Sequence, residues 1–483
     1  MKLTHAFSAT LLCTTLVIAV APRGAQAQDA PDTVLVEQGR MVATGADCMA
    51  CHTAPRGGKP FAGGYAIESP LGAIVSTNIT PSKMAGIGTY SEADFARAVR
   101  QGVRKDGAHL YPAMPYDAYA ELTDADIRAL YAYFMHGVQP VDDAPKVQTA
   151  LPFPFNIRLS MVAWNLIYAR KEPFQPDPAK SAELNRGAYL AGALGHCSSC
   201  HTPRGLLMGE DSSAYLAGGF VGSWFAPNIT SDPVSGIGGW STDELVTYFR
   251  TGHADGKNQA GGGMAEAVEN SLQHLPEADL RALAVYLKSA PAIRDPRETQ
   301  PAHEIGTPVS NEADIRGVFP SNAHDSLRTG AELYSGYCAS CHQPNGAGSE
   351  NQAYPSLFHN TATGAIEPAN LVATILYGIE RNAGGEEVLM PHFGTGSFVG
   401  TLSDLQVADI SNYVLSSYGN PQARVTPADV AVSRTGGPQP LLARMQPYIV
   451  PAMITGAVVV LLILLALVLT MRRRGLAALV GHP

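Results

Sequence analysis

The sequence predicts a mainly α-helical protein that has three tandem domains of one kind and a single membrane-spanning helix near its C-terminal end. Three observations support this prediction. The motif Cys-x-x-Cys-His occurs three times in 483 residues, at intervals long enough for a domain. Segments around the first two copies repeat at a fixed offset, and an uncharged segment of transmembrane length follows the third copy.

Each motif combines two thiols, one helical turn apart, with an adjacent histidine. The copies comprise Cys48, Cys51 and His52, then Cys197, Cys200 and His201, then Cys338, Cys341 and His342. Two such thiols can bond to the two vinyl groups of a haem, and the histidine then reaches the iron. A zinc half-site or a redox dithiol is an alternative for one copy, but no second Cys-x-x-Cys lies near any of them. We therefore predict three covalently bound haem c groups and three tandem cytochrome c domains.

The N-terminal end has the pattern of an export signal. An apolar run, residues 11–21, follows Lys2 and precedes Ala25-Gln26-Ala27, which has the small residues of a cleavage site. We predict a signal peptide over residues 1–27, with an uncleaved anchor as the alternative. Cys13 then leaves with the signal, and the other six of the seven cysteines all belong to the haem motifs. The formal charge of −9 argues against a nucleic-acid partner.

The C-terminal end contains a candidate membrane span. Residues 448–470 form an uncharged stretch of 23 residues, which exceeds the roughly 20 that a helix needs to cross the hydrocarbon layer. Arg472, Arg473 and Arg474 follow, and positive charge favours the cytoplasmic side. We predict a transmembrane helix that leaves the bulk of the chain in the periplasm and the C-terminus in the cytoplasm. A buried core helix is the alternative.

The first predicted domain covers residues 34–136. A helix leads into its motif, a second starts at Ser91, and a third starts at Thr123. Between the last two lies Met114, with a proline on either side in Tyr111-Pro112-Ala113-Met114-Pro115. Because prolines fix the backbone, this methionine suits a rigid axial thioether ligand, although core filling is an alternative.

The second predicted domain, residues 183–290, repeats the first at an offset of 150 positions. Asn78-Ile79-Thr80 corresponds to Asn228-Ile229-Thr230, and Met114 corresponds to Met264. The repeat makes Met264 the predicted axial ligand. Glycines precede it and no proline follows it, so His253 remains the alternative ligand.

The third predicted domain, residues 326–419, is shorter and less similar. Met390 precedes a proline, as Met114 does, and is the predicted axial ligand, with His392 as the alternative. Two connections separate the domains. The one over residues 137–182 contains a predicted helix, 157–169, whose apolar residues either pack across the first two domains, which is the favoured interpretation, or face a partner.

With these motifs, the chain resembles the triheme cytochrome c subunits of bacterial membrane-bound dehydrogenases that oxidise gluconate, fructose, sorbitol, alcohols or aldehydes. The resemblance covers nearly all of residues 30–435. It implies a separate catalytic subunit holding FAD, pyrroloquinoline quinone or molybdenum, a small third subunit in some complexes, and ubiquinone as the acceptor. The C-terminal span looks more like that of the sugar-oxidising flavoprotein members, which favours FAD.

The predicted function is therefore electron transfer in the inner membrane, with no catalytic residues in this chain. The sequence has no Gly-x-Gly-x-x-Gly at a strand–helix junction for FAD or NAD. Two alternatives stay open at this point. One is a self-sufficient multihaem enzyme of the peroxidase or thiosulfate dehydrogenase type. The other is a membrane tether whose haems are structural.

Overall fold

The computed structural model describes residues 32–55, 57–169, 172–315 and 327–480. The predicted signal peptide, residues 1–27, lies outside the described residues. The described chain is mostly helical, and its β-structure consists of short antiparallel hairpins. The prediction of a mainly α fold is confirmed.

Five helices surround the first motif, and a sixth lies in the connection that follows. They are α1 (Thr33–Gly45), α2 (Cys48–His52), α3 (Glu92–Gln101), α4 (Tyr116–Tyr119), α5 (Asp124–Ala132) and α6 (Ser160–Tyr168). A π-helical turn, Tyr133–Gly137, continues α5, and one hairpin pairs β1 (Ala66–Ile67) with β2 (Ile74–Val75). The predicted helix starts are confirmed, because Ser91 caps α3 in a capping box with Asp94 and Thr123 caps α5.

The part around the second motif has a similar order of elements. Its helices are α7 (Ala182–Tyr189), α8 (Ser198–His201), α9 (Thr242–Thr251), α10 (Gly263–Asn270) and α11 (Glu277–Ser289). A π-helical turn, Leu190–Leu194, follows α7, and short 3₁₀ turns lie at Ser212–Ala214 and Leu272–His274. Two hairpins pair β3 (Gly219–Val221) with β4 (Trp224–Ala226), and β5 (His253–Ala254) with β6 (Asn258–Gln259).

The remaining helices belong to the third part and the C-terminal end. They are α12 (Glu312–Ile315), α13 (Gly330–Tyr337), α14 (Ala339–His342), α15 (Thr361–Gly364), α16 (Ala369–Tyr377), α17 (Asp404–Ser417), α18 (Pro427–Arg434) and α19 (Leu441–Val480). A 3₁₀ turn at Ala302–Glu304 precedes them. The hairpin of β7 (Ile379–Ala383) and β8 (Glu386–Met390) places Ile379 opposite Met390.

The same helix crossing occurs beside each motif. Helix α1 packs on α5, α7 on α11, and α13 on α17, and each contact places a glycine against a backbone carbonyl. A Cβ added at Gly39 would lie 1.9 Å from the Ala129 oxygen, at Gly187 2.0 Å from the Ala282 oxygen, and at Gly330 2.3 Å from the Asp409 oxygen. Only glycine permits so close an approach of two helices. The crossing holds the helix before each motif against the helix that closes the same part of the chain.

The first and second parts share one hydrophobic core. Buried Leu122 and Ile127 of the first part belong to the same cluster as Leu190, Leu194 and Leu275 of the second. The third part has its own core, which includes Leu333, Ile410 and Leu415. The first two parts are therefore joined through a common core, and the third part packs against them with a core of its own.

The predicted helix at 157–169 is confirmed as α6. It packs across the first two parts, as favoured, but only through one of its sides. Trp164 is buried and donates its indole Nε1–H to the Leu207 oxygen, 3.0 Å away in the second part. The apolar side chains on the other side are exposed, among them Leu159, Leu166 and Ile167. Helix α6 thus bridges the two parts through one side, and its other side is not covered by any residue that the structure describes.

Helix α19 is the candidate membrane span. Its section Leu441–Arg472 is long and apolar enough to cross a bilayer. The side chains over 458–465 all lie exposed, so the helix is not part of a protein core. The prediction of one C-terminal transmembrane helix agrees with these features, and the alternative of a buried core helix is wrong.

Candidate haem-binding sites

All three motifs open into one continuous cavity of about 1720 Å³. Each motif lies on a short helix, α2, α8 or α14, that follows the crossing helix of its part of the chain. The cavity wall contains all twelve residues predicted to bind haem or its iron: Cys48, Cys51, His52, Met114, Cys197, Cys200, His201, Met264, Cys338, Cys341, His342 and Met390. The fold therefore brings the predicted thiols, imidazoles and thioethers to one connected space.

The three motif histidines are held by the same kind of hydrogen bond. Nδ1 lies 2.7 Å from the Thr77 oxygen in His52, 2.7 Å from the Pro227 oxygen in His201, and 2.9 Å from the Pro355 oxygen in His342. A carbonyl can only accept, so Nδ1 carries the proton in each ring and Nε2 keeps its lone pair. Burial lowers the pKa of all three imidazoles, which favours the neutral form that binds a metal.

The repeated Asn-Ile-Thr segments position two of these carbonyl groups. Asn78 accepts hydrogen bonds from the backbone and hydroxyl of Thr80 and donates to the Val141 oxygen at 2.7 Å. Asn228 makes the equivalent bonds to Thr230 and donates to the Ile293 oxygen at 2.7 Å. The residue before each asparagine supplies the carbonyl that accepts from the histidine. Sequence reasoning used these segments only as markers of the repeat and missed this positioning role, for which their recurrence was the available signal.

Five of the motif thiols have a raised pKa. Desolvation is the main cause that raises the pKa of Cys48, Cys51, Cys197 and Cys338 to about 12, and it also raises the pKa of Cys200. A redox dithiol needs a thiolate, and its pKa is lowered by nearby positive charge or a helix N-terminus. The environment of these thiols therefore argues against the redox-dithiol alternative.

Met114 lies on a short strap between α3 and α4. Its backbone N–H donates to the Tyr111 oxygen at 3.2 Å, and its own oxygen accepts from Tyr116 N–H at 2.7 Å. Tyr116 is fully buried, so the strap is fastened to the core immediately after the methionine. Met114 itself is partly buried and lines the cavity, as an axial ligand requires.

Met264 occupies a different local structure from Met114. It is the second residue of α10, and Gly262 before it has φ of 53°. The alternative ligand, His253, lies outside the cavity wall among the described residues, and its Nε2 contacts the Asp255 carboxylate. This placement favours Met264 over His253.

Met390 ends strand β8, and Pro391 follows it. The cavity wall includes Met390, Pro391 and Phe393, whereas His392 is absent from the described residues that line it. The placement therefore favours Met390 over His392.

The first two motifs lie close together. Tyr119 donates its hydroxyl to the Ala46 oxygen at 2.7 Å, and its ring packs edge-on against His196 with centroids 5.5 Å apart. Burial lowers the pKa of His196 to about 4, so this side chain is neutral. His196 immediately precedes the second motif and Ala46 lies two residues before the first, so the contact joins the first and second sites directly.

The chemistry of the donor set fits haem c. Paired thiols separated by two residues, a neutral imidazole beside them and a thioether in the wall of the same cavity are what covalent attachment and His/Met ligation need. A mainly helical fold with these sites defines a c-type cytochrome.

Comparisons with known proteins agree with this class and narrow it. Residues 36–137 match the family model described as Cytochrome c, and residues 325–414 match Cytochrome C oxidase, cbb3-type, subunit III. The chain is 50% identical over 417 residues to the fructose dehydrogenase cytochrome subunit of Gluconobacter japonicus, covering 85% of each chain. It is 39% identical to the gluconate 2-dehydrogenase cytochrome c subunit of Pantoea cypripedii, covering 87% of this chain and 94% of that one.

A third relative is the cytochrome c subunit of the quinone alcohol dehydrogenase of Gluconobacter oxydans. It is 39% identical, with 87% of this chain and 86% of that one covered. The chain belongs to the family of cytochrome c subunits of bacterial dehydrogenases, and it is an electron-transfer protein that binds haem c covalently.

Proposed function

We propose that this chain is the electron-transfer subunit of a dehydrogenase complex in the bacterial inner membrane. It receives electrons from a separate catalytic subunit on the periplasmic side and delivers them to ubiquinone through three haem c groups. FAD is the preferred donor cofactor, ahead of pyrroloquinoline quinone or molybdenum, because α19 resembles the span of sugar-oxidising members of the family. A small third subunit completes the complex.

The cavity shared by three motifs is the observation that carries this proposal. Its wall supplies three pairs of thiols for attachment, with His52 and Met114, His201 and Met264, and His342 and Met390 as the axial pairs. When bound, haem c supplies one-electron oxidation and reduction. The chain itself orients each imidazole through a backbone carbonyl and surrounds the sites with apolar side chains that exclude water.

Three cytochrome c domains, over residues 34–136, 183–290 and 326–419, are part of the proposal. The recurrent glycine crossing supports them, since Gly39, Gly187 and Gly330 each lie eight to ten residues before the first cysteine of a motif. The fused core of the first two domains supports direct transfer between their haems. Contact between Tyr119 and His196 places the two attachment segments side by side.

The orientation in the membrane is proposed from the ends of α19. Its apolar stretch is bounded by Gln446 and by Arg472, and the arginine end favours the cytoplasm. The bulk of the chain then lies in the periplasm, where haem c is attached and where a substrate-oxidising subunit has access to external sugars, alcohols or aldehydes.

The test is to purify the chain from membranes with whatever remains bound to it, and to weigh it intact. We expect three added porphyrin masses and a co-purifying subunit that contains FAD. The variant Cys338→Ala with Cys341→Ala is the matched control, and it should lose one porphyrin mass and keep two. Fewer than three porphyrins in the unaltered chain contradicts the proposal, as does a chain that reduces no quinone when the complex receives substrate.

A further inference from the structure

Helix α6 and the segment before it expose an apolar surface that no described part of the chain covers. The exposed fractions are 73% for Leu159, 56% for Leu166 and 59% for Ile167, and Phe153, Ile157 and Val162 are also exposed. We call these six residues the α6 face. No charged residue occurs from 159 to 169. A continuous exposed apolar patch of this kind marks a binding surface.

The α6 face is held outward by firm anchors on the opposite side of the helix. Trp164 is buried, packs edge-on against Tyr116 with centroids 6.1 Å apart, and bonds to the Leu207 oxygen. Asn165 accepts a hydrogen bond from the Tyr116 hydroxyl at 2.7 Å. The exposed side chains therefore belong to a helix fixed to two parts of the protein.

The α6 face begins next to the end of the membrane helix. The side-chain amide of Gln446, near the start of α19, donates to the Phe153 oxygen at 3.2 Å. Gln446 precedes Tyr448, where the uncharged stretch starts, by two residues, and a helix rises about 3 Å over that distance. Tyr448 is 72% exposed and is of the residue type that anchors helices at the membrane–water boundary. Phe153 thus lies at the level where α19 enters the bilayer.

We propose that the α6 face lies in the outer interfacial layer of the bilayer that α19 crosses, as a monotopic contact. A helix that is fixed to the protein on one side and exposes apolar side chains on the other can place those side chains at the boundary between headgroups and acyl chains. Polar groups flank the contact: Arg158 bonds to the His109 oxygen at 2.8 Å and lies over the Tyr111 ring at 4.5 Å. The occupant of the face is lipid. One membrane span alone lets the periplasmic part swing, whereas a second contact beside it fixes which side faces the membrane.

This inference rests on the proposed membrane location, so the test separates the two. Spin labels are attached to Leu166→Cys and Ile167→Cys in the full chain, within the purified complex reconstituted in phosphatidylethanolamine–phosphatidylglycerol nanodiscs. Collision with oxygen reports lipid, and collision with a water-soluble nickel chelate reports solvent. A label at Leu464→Cys in the middle of α19 is the lipid reference. A label at Val34→Cys, 65% exposed at the start of α1, is the solvent reference.

We expect the two α6 labels to collide less with the nickel chelate and more with oxygen than the Val34 label does, with values between those at Val34 and Leu464. Labels on exposed side chains leave the core intact, and an unchanged haem absorption spectrum checks this. Nickel access equal to that at Val34 overturns the inference. Protection from both reagents also overturns it, because it shows that a protein subunit covers the face. Access of the nickel chelate to the Leu464 label would contradict the proposal that α19 crosses the membrane.

Discussion

A single backbone carbonyl decides the state of each motif histidine. The Thr77, Pro227 and Pro355 oxygens accept from Nδ1, and this fixes both the ring orientation and the tautomer that leaves Nε2 free. Asparagine side chains fasten two of the three loops that present those carbonyls. The orientation of each imidazole is therefore fixed by hydrogen bonds within the protein and does not depend on iron.

The identity of the sixth ligand sets the redox potential at the residue scale. Imidazole stabilises the oxidised iron better than a thioether does, so Met390→His should lower the midpoint potential of one haem and leave the others unchanged. The shift lies within the range of about 0.8 V that axial ligands span. Redox titration followed by absorbance measures it. Met84→His, at a methionine that is 83% exposed, is the matched control and should change nothing. An unaltered titration of Met390→His would show that Met390 is not a ligand.

Asp47 gives a prediction about pH. Its backbone has φ of 51°, and its Oδ1 is buried without a hydrogen-bond partner in the described part of the chain. Burial, and then the nearby Glu266 carboxylate, hold its pKa well above the usual range. The folded chain therefore keeps a proton that the unfolded chain loses above about pH 4, and stability falls as pH rises through the raised pKa.

Asp47→Asn removes this pH-dependent loss, and asparagine also tolerates a positive φ. We expect the variant to be more stable than the unaltered chain, by an amount that grows from about pH 4 until the raised pKa is passed. Denaturant unfolding at a series of pH values measures the difference. Asp106→Asn, where the carboxylate pairs with Arg104 on the surface, is the control and should have little effect. A variant that is less stable at neutral pH would refute the role assigned to Asp47.

At the scale of the elements, the sequence predicted helices more completely than contacts. Capping patterns at Ser91 and Thr123 gave the starts of α3 and α5, because a cap is a local arrangement. The sequence did not predict the glycine crossings. The role of Gly39 depends on its contact with the Ala129 backbone, which is distant in the sequence. The same reason explains α6, whose buried side depends on Leu207 in another part of the chain.

Arg381 joins the β7–β8 hairpin of the third part to the second part. It is buried, and its guanidinium donates to the Ala260 oxygen at 2.8 Å and to Oε1 of Gln259 at 2.7 Å. Arg381→Ala leaves both acceptors without this donor and opens a gap, so we expect a loss of about 2–3 kcal/mol in the free energy of unfolding. Arg381→Lys should recover only part of the lost free energy of unfolding, because a lysine ammonium group cannot reach both acceptors as the branched guanidinium does.

Arg281→Ala is the matched control for that variant. Arg281 pairs with Asp243 on the surface at 2.9 Å, and its removal should cost at most about 1 kcal/mol. Denaturant titration of the three variants supplies the comparison. Equal losses for Arg381→Ala and Arg281→Ala would mean that the buried contact does not hold the third part in place.

At the scale of the whole molecule, the sequence was enough to predict that twelve residues take part in haem binding, because attachment chemistry fixes the spacing of the thiols and histidines and the offset of 150 relates two of the methionines. How the sites come together was not predictable. The sequence predicts three units in tandem, yet Leu122 and Leu275 share one core and the three motifs open into one cavity. Contacts between distant surfaces depend on side chains that no local pattern links.

The haem-binding part of the chain and the membrane helix α19 should be separable. Among the described residues, the core clusters contain none from α19, so a chain ending at residue 440 should fold, attach its haems and reduce a soluble artificial acceptor. It should leave the membrane during washing, because the α6 face alone gives only reversible interfacial binding. Leu166→Glu with Ile167→Glu in the truncated chain should then reduce the residual sedimentation with lipid vesicles. A truncated chain that stays in washed membranes would place the main anchor outside α19, and one that reduces no soluble acceptor would tie conduction to the membrane helix itself.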